Sequence, residues 1–167
     1  SEYNVRRAQC EAGVAVVLRH VGGVESLRDV TADMLDTYKG EMDEVVYRRC
    51  RYVVDENQRL LDACAALEKG DYVTFGQKMN GSHEGLSRQY EVSCDELDFL
   101  ADIGHRTDGV LGARMMGGGF GGCTINLVRA EAYDGYLAEA TDRFAHRFGH
   151  APRVIEVNIS QGARRIG

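Results

Sequence analysis

The sequence predicts an α+β fold, on three observations. Apolar residues recur at helical spacing from Glu2 to about Gly104, the period turns extended after Asp108-Gly109, and a glycine tract then joins two β-branched runs. Helix-rich first half, then strand, strand, helix, strand, is the order of a small antiparallel sheet covered by helices on one face.

Taken in order, Val5, Ala8, Ala12, Ala15 and Val16 mark a helix from Glu2 to His20, closed by Gly22-Gly23. Thr31 caps a short helix through Tyr38. Residues 42 to 69 carry Val45, Val46, Tyr52, Val53, Leu60, Leu61, Cys64 and Leu67, the stripe of a long amphipathic helix or a broken pair ending at Gly70. Asp71 starts another helix toward Tyr90, in which Gly76, Gly81 and Gly85 weaken continuity. Ser93-Cys94-Asp95-Glu96 has the form of a capping box, so a helix is expected from there to Gly104. Strands follow up to Met116 and from Cys123 to Val128. A helix over 131 to 148 turns Tyr133, Leu137, Ala140, Phe144 and Phe148 inward, and Arg153 to Ile159 is a last strand.

At 167 residues the chain suits one domain, and a net charge of −6 argues against a nucleic-acid partner, which needs a basic face. Arg6-Arg7, Arg48-Arg49 and Arg164-Arg165 are short and scattered, and read as solvated faces or local ion pairs. The five cysteines, Cys10, Cys50, Cys64, Cys94 and Cys123, form no C-x-x-C pair and read as reduced, mostly buried thiols. No stretch has the length and apolarity of a membrane span, so no membrane partner and a cytoplasmic location are expected. The start at Ser1 rather than Met suggests a piece of something longer.

Gly117-Gly118-Gly119-Phe120-Gly121-Gly122 is the most informative tract. Glycine reaches positive φ freely, and its bare N–H groups can curl into a nest of donors around an anion. The formal G-x-G-x-x-G match is nearly automatic in such a run. It leads into a strand rather than a helix, which excludes a Rossmann reading. The protein-kinase order of strand, glycine loop and strand is present, but V-A-I-K, H-R-D and D-F-G are not. On glycine content alone, a hairpin without a ligand and a phosphate-proximal turn stand level. His83 has no partner spacing for acid–base work and is expected to be a structural cap.

With its flanks, Gly112-Ala113-Arg114-Met115-Met116 before and Cys123-Thr124 after, the tract resembles the third signature motif of galactokinases, members of the GHMP family of small-molecule kinases. Further stretches fit in order: Ser1 to Glu11; Tyr47-Arg48-Arg49 with Glu56-Asn57-Gln58-Arg59; Met79-Asn80-Gly81-Ser82-His83; Tyr90 to Asp98; and Gln161-Gly162-Ala163. The resemblance covers essentially the whole chain. It implies a GHMP-kinase C-terminal domain with a ferredoxin-like antiparallel sheet, and transfer of the ATP γ-phosphoryl group to the C1 hydroxyl of galactose. The family's sugar motif near R-T-N-E-H-T-D-Y and its G-L-S-S-S-A nucleotide loop are not in this sequence. The resemblance therefore implies that ATP and Mg2+ are bound mainly by an N-terminal domain outside it, along with the catalytic arginine and aspartate. No catalytic or metal-binding residue is expected here, and the chain alone is expected to be inactive.

Tyr3 matches the family tyrosine whose hydroxyl meets the sugar. Gly117, Gly118, Gly119, Phe120, Gly121 and Gly122 would shape the triphosphate cradle, Gly119 by positive φ or close phosphate approach. Arg114 either adds a fixed positive charge or pairs with a carboxylate such as Asp108. Met116 stands where most galactokinases have threonine, which removes a hydroxyl but leaves an adaptable apolar side chain. A second reading, a non-catalytic sensor of sugar and ATP acting on a regulatory partner, shares the fold.

Overall fold

Residues that cap their own helices set the boundaries of the first half. In the computed structural model, which describes residues 1–157 and 162, helix α1 runs Glu2–Leu18, and α2, Ala32–Tyr38, opens with the Thr31 hydroxyl accepting from Met34 N–H at 3.2 Å. Asp43 caps α3, Glu44–Glu68, through Val45 N–H at 2.9 Å, and Asp71 caps α4, Tyr72–Arg88, through Thr74 N–H at 3.0 Å. Helix α5 spans Asp95–Arg106. Strands β1, Val110–Met116, and β2, Cys123–Val128, pair antiparallel with Met116 opposite Cys123, and a bulge falls between Val110 and Gly112. Helix α6, Tyr133–Phe148, stops at Gly149 in the left-handed region.

Helix α4 lies along β1 because two glycines meet there. A Cβ on Gly76 would sit 2.0 Å from Leu111 O, and one on Gly112 would sit 2.6 Å from Gly76 O. Among the described residues, the other edge of β1 meets side chains rather than a strand. Asn80 accepts from Ala113 N–H at 2.8 Å, His83 Nδ1 accepts from Met115 N–H at 3.1 Å, and His105 Nε2 donates to Ala113 O at 2.9 Å. One core gathers Val17, Leu35, Cys50 and Val54 among α1, α2 and α3; others gather Met115 with Leu97, and Ile103 with Tyr136 and Ala140.

Several expectations need correction. The buried face of α1 is Arg6, Gly13 and Val17, and Val5, Ala8, Ala12 and Ala15 point outward. Gly13 is buried because a Cβ there would meet Cys50 Sγ at 2.3 Å. The three glycines do not interrupt α4. The Ser93 box does not form: Cys94 holds the N-cap position without a side-chain bond, the Ser93 hydroxyl is buried without a partner, and Glu96 bonds its own amide. On α6, Tyr136 is buried in place of Tyr133. Leu60, Leu61, Leu67 and Cys64 of α3 are exposed. Residues 153–157 form no strand, and Asn158-Ile159 lie outside the described residues, so the described sheet has two strands. Arg164-Arg165, Gln161 and Ala163 are also outside.

Candidate functional site around the glycine loop

Backbone conformation decides which residues the β1–β2 loop can use. Gly117, Gly119, Gly121 and Gly122 all have positive φ, between 86° and 130°, and Phe120 joins them at 59°. Gly119 is the position where glycine is also required by contact. A Cβ there would stand 2.1 Å from Val92 O, while Phe120 N–H donates to the same oxygen at 2.7 Å. The positive φ expected at Gly119 is present, and the close neighbour of a side chain there would be the Tyr90–Val92 segment, so a substitution would strike the loop's seat. Gly117 and Gly121 have nothing within 4 Å of a built Cβ. Among the described residues no other loop N–H reaches a backbone acceptor beyond the hairpin, which leaves an open glycine face.

Tyr3 stands beside that face. It is exposed, and its Cδ2 lies 3.9 Å from a Cβ built on Gly118, so the first turn of α1 and the loop share one corner. Arg114 does not join them. Its side chain reaches toward α3, with Nη1 4.0 Å from Glu56 and Nε donating to Met115 O at 3.0 Å, and Asp108 is not its partner. Met116, at the loop entrance, is exposed rather than packed.

His83 is buried as expected of a structural residue, but it braces β1 and caps no helix. Burial lowers its pKa below the ordinary value, against the pull of Asp98 at 3.2 Å. It accepts from Met115 on Nδ1, so Nε2 carries the proton toward Asp98.

The residues that hold the corner lie in three separate matched stretches, and nothing in the sequence showed that they meet. Arg6, 7% exposed, donates from Nε to Tyr90 O at 2.8 Å and from Nη2 to Glu91 O at 2.6 Å, and its guanidinium lies 5.5 Å from the Phe120 ring centroid. Glu91 Oε2 accepts from Arg48 and Arg49 at 2.8 Å each. Arg6 and Arg49 are therefore buried parts of the framework rather than solvated faces, and the ion-pair alternative holds, Arg6 pairing with Glu2 and Arg49 with Glu91. In the sequence each of these arginines lies in a doubled pair and in one of the stretches that carry the resemblance.

Among the described residues, no group of three or more His, Cys, Asp or Glu could hold a metal ion, and no helix is long and apolar enough to cross a membrane. All five cysteines are unpaired.

Residues 63–143 match the family model described as GHMP kinases C terminal. A galactokinase of Clostridium beijerinckii is 38% identical over the whole chain, which covers 43% of that relative, and one of Bos taurus is 49% identical over 79% of the chain and 32% of its own length. The crystal structure of Lactococcus lactis galactokinase complexed with galactose superposes with a TM-score of 0.85 at 33% identity, over 90% of this chain and 39% of that one. The chain thus spans less than half the length of these relatives.

Proposed function

We propose that the chain serves as the C-terminal lobe of a galactokinase, a reading supported by the match of residues 63–143 to the GHMP kinases C terminal model and by similarity to galactokinases along its whole length. That enzyme would move the γ-phosphoryl group of ATP to the C1 hydroxyl of galactose, releasing galactose 1-phosphate and ADP. One observation carries the assignment: Tyr3 and Gly118 lie side by side. Transfer requires acceptor oxygen and phosphorus to come within about 3–3.5 Å, so a sugar contact and a phosphate contact must be neighbours. Tyr3 supplies a hydroxyl to the sugar from the start of α1. The glycine face admits phosphate oxygens close to backbone, where N–H dipoles offset their charge without reorganising.

We assign the metal, the catalytic groups and most ATP contacts to an N-terminal lobe. Arg114, tied to α3, supports the base of the hairpin and makes no phosphate contact in this reading. Five free cysteines suit a reducing cytoplasm, and neither nucleic acid nor membrane enters the proposal.

The test joins this chain to the N-terminal part of the Lactococcus lactis enzyme and follows galactose-dependent ADP release. The folded hybrid is expected to turn over and the 167-residue chain alone to be inert. Turnover by the chain alone would overturn the division of labour. A folded hybrid that binds galactose and ATP without releasing ADP would count against this chain as a lobe that completes the site.

A further inference from the structure

Two non-glycine residues among those described have positive φ, Glu91 at 57° and Phe120 at 59°, and they meet through adjoining backbone. A residue with a Cβ stays in that region when its surroundings over-determine it. For Phe120 the surroundings are a glycine hairpin. For Glu91 they are side chains from two helices.

We propose that Glu91 is the positioning residue of the glycine loop, acting through a strut, Tyr90–Val92, that α1 and α3 brace and that seats Gly119 and Phe120 next to Tyr3. Arg6 of α1 holds the strut by the carbonyls of Tyr90 and Glu91. Arg48 and Arg49 of α3 hold it by the Glu91 carboxylate. Arg49 is itself buried and also donates to Gln9 of α1, so the carboxylate balances a cation that has left water. The far side of the strut is Val92, whose carbonyl receives Phe120 N–H and leaves no room for a side chain at Gly119. Arg6 lies over the Phe120 ring and completes the circuit from the Tyr3 helix to the loop. The arginine contacts also hold the Glu91 carboxyl below its ordinary pKa, so it is ionised near neutral pH. One carboxylate thereby sets the distance between the sugar-facing tyrosine and the glycine face; the enzymatic consequence rests on the function proposed above, the placement does not.

Hydrogen exchange read by mass spectrometry on the 167-residue chain tests the placement. Glu91→Gln removes the charge and keeps the shape; Glu91→Gly also releases the φ constraint. Both are expected to speed exchange of the Phe120 amide about tenfold while amides of α2 and α6 keep their protection. Arg48→Ala, which leaves the buried Arg49 contact in place, is expected to change it less than threefold. Unchanged loop exchange in both Glu91 variants, or a rise spread evenly over every element, would overturn the proposal. In the hybrid enzyme Glu91→Gln is expected to raise KM for ATP about tenfold with kcat within threefold. A loosened loop with an unchanged KM would count against the loop's nucleotide role and leave the positioning role standing.

Discussion

His83 shows how a single side chain can satisfy a strand's outer edge. Met115 is fully buried, and its N–H on the outer edge of β1 reaches the imidazole Nδ1. Removing that acceptor leaves a buried donor unpaired, a loss of about 1–3 kcal/mol. The bond requires a neutral ring. Burial pulls the His83 pKa below 6.5, His105 and Arg114 push the same way, and Asp98 opposes them. The unfolded chain takes up its proton near pH 6.5, above the folded value. Between those values the unfolded state binds more protons, so stability falls as pH drops through 6.5 and levels off once the folded histidine is also charged. His83→Asn, whose carbonyl oxygen occupies the place of Nδ1 and does not titrate, is expected to flatten that limb of a urea-midpoint profile. A limb of unchanged slope would remove His83 as its source.

Between elements, contact distance rather than residue type separates the glycines of α4. At Gly76 a methyl group would collide with Leu111 backbone at 2.0 Å, whereas at Gly81 it would meet only the end of Arg59 at 3.3 Å. Alanine gains about 1 kcal/mol of helix propensity at either site. Gly76→Ala is therefore expected to lose at least ~3 kcal/mol, through overpacking that backbone cannot relieve, and Gly81→Ala to be neutral or slightly stabilising. Equal urea midpoints for the two would mean that helix and strand are not in close contact. The same distinction explains what could be read from the sequence. Thr31 and Asp71 act on amides three residues away, so α2 and α4 were legible from their starts, whereas α3 was read from its apolar stripe and its Asp43 cap was missed. Ser93 has an equally good local pattern, but its neighbour Val92 is fixed by the glycine loop far along the chain, and the box never closes. On α1, alanines pointed to the wrong face because a methyl group is nearly indifferent to exposure, while burial followed Arg6 and the close contact of Gly13 with Cys50. Tyr3 and the glycines were legible as motifs. Arg6, Glu91 and Val92 fall in matched stretches too, but their pairing was not legible, since their partners lie between 28 and 85 residues away.

Across the whole molecule, two bodies of core share no residue: Val17, Leu35 and Cys50 on one side, Ile103, Tyr136 and Ala140 on the other. Helix α4 stands between them with a glycine contact on each flank, Gly76 on β1 and Gly85 on Tyr52 of α3, where a Cβ would fall 2.4 Å from the ring. Neither flank tolerates separation by even a fraction of an ångström without losing its dispersion contacts. The cores should therefore fail together. Leu35→Ala empties a fully buried site in the first core, a loss of about 2–5 kcal/mol. Under native conditions it is expected to reduce the protection of the slowest amides in β1 and α5 by the same factor as those in α3, ten for each 1.4 kcal/mol. If β1 and α5 keep their protection while α2 and α3 lose theirs, the α4 seams are weaker than their geometry implies and the chain unfolds as two units. In the single-unit case, a substitution in the α1–α3 core would also loosen the seat of the glycine loop, because the arginines that hold Glu91 are anchored on those helices.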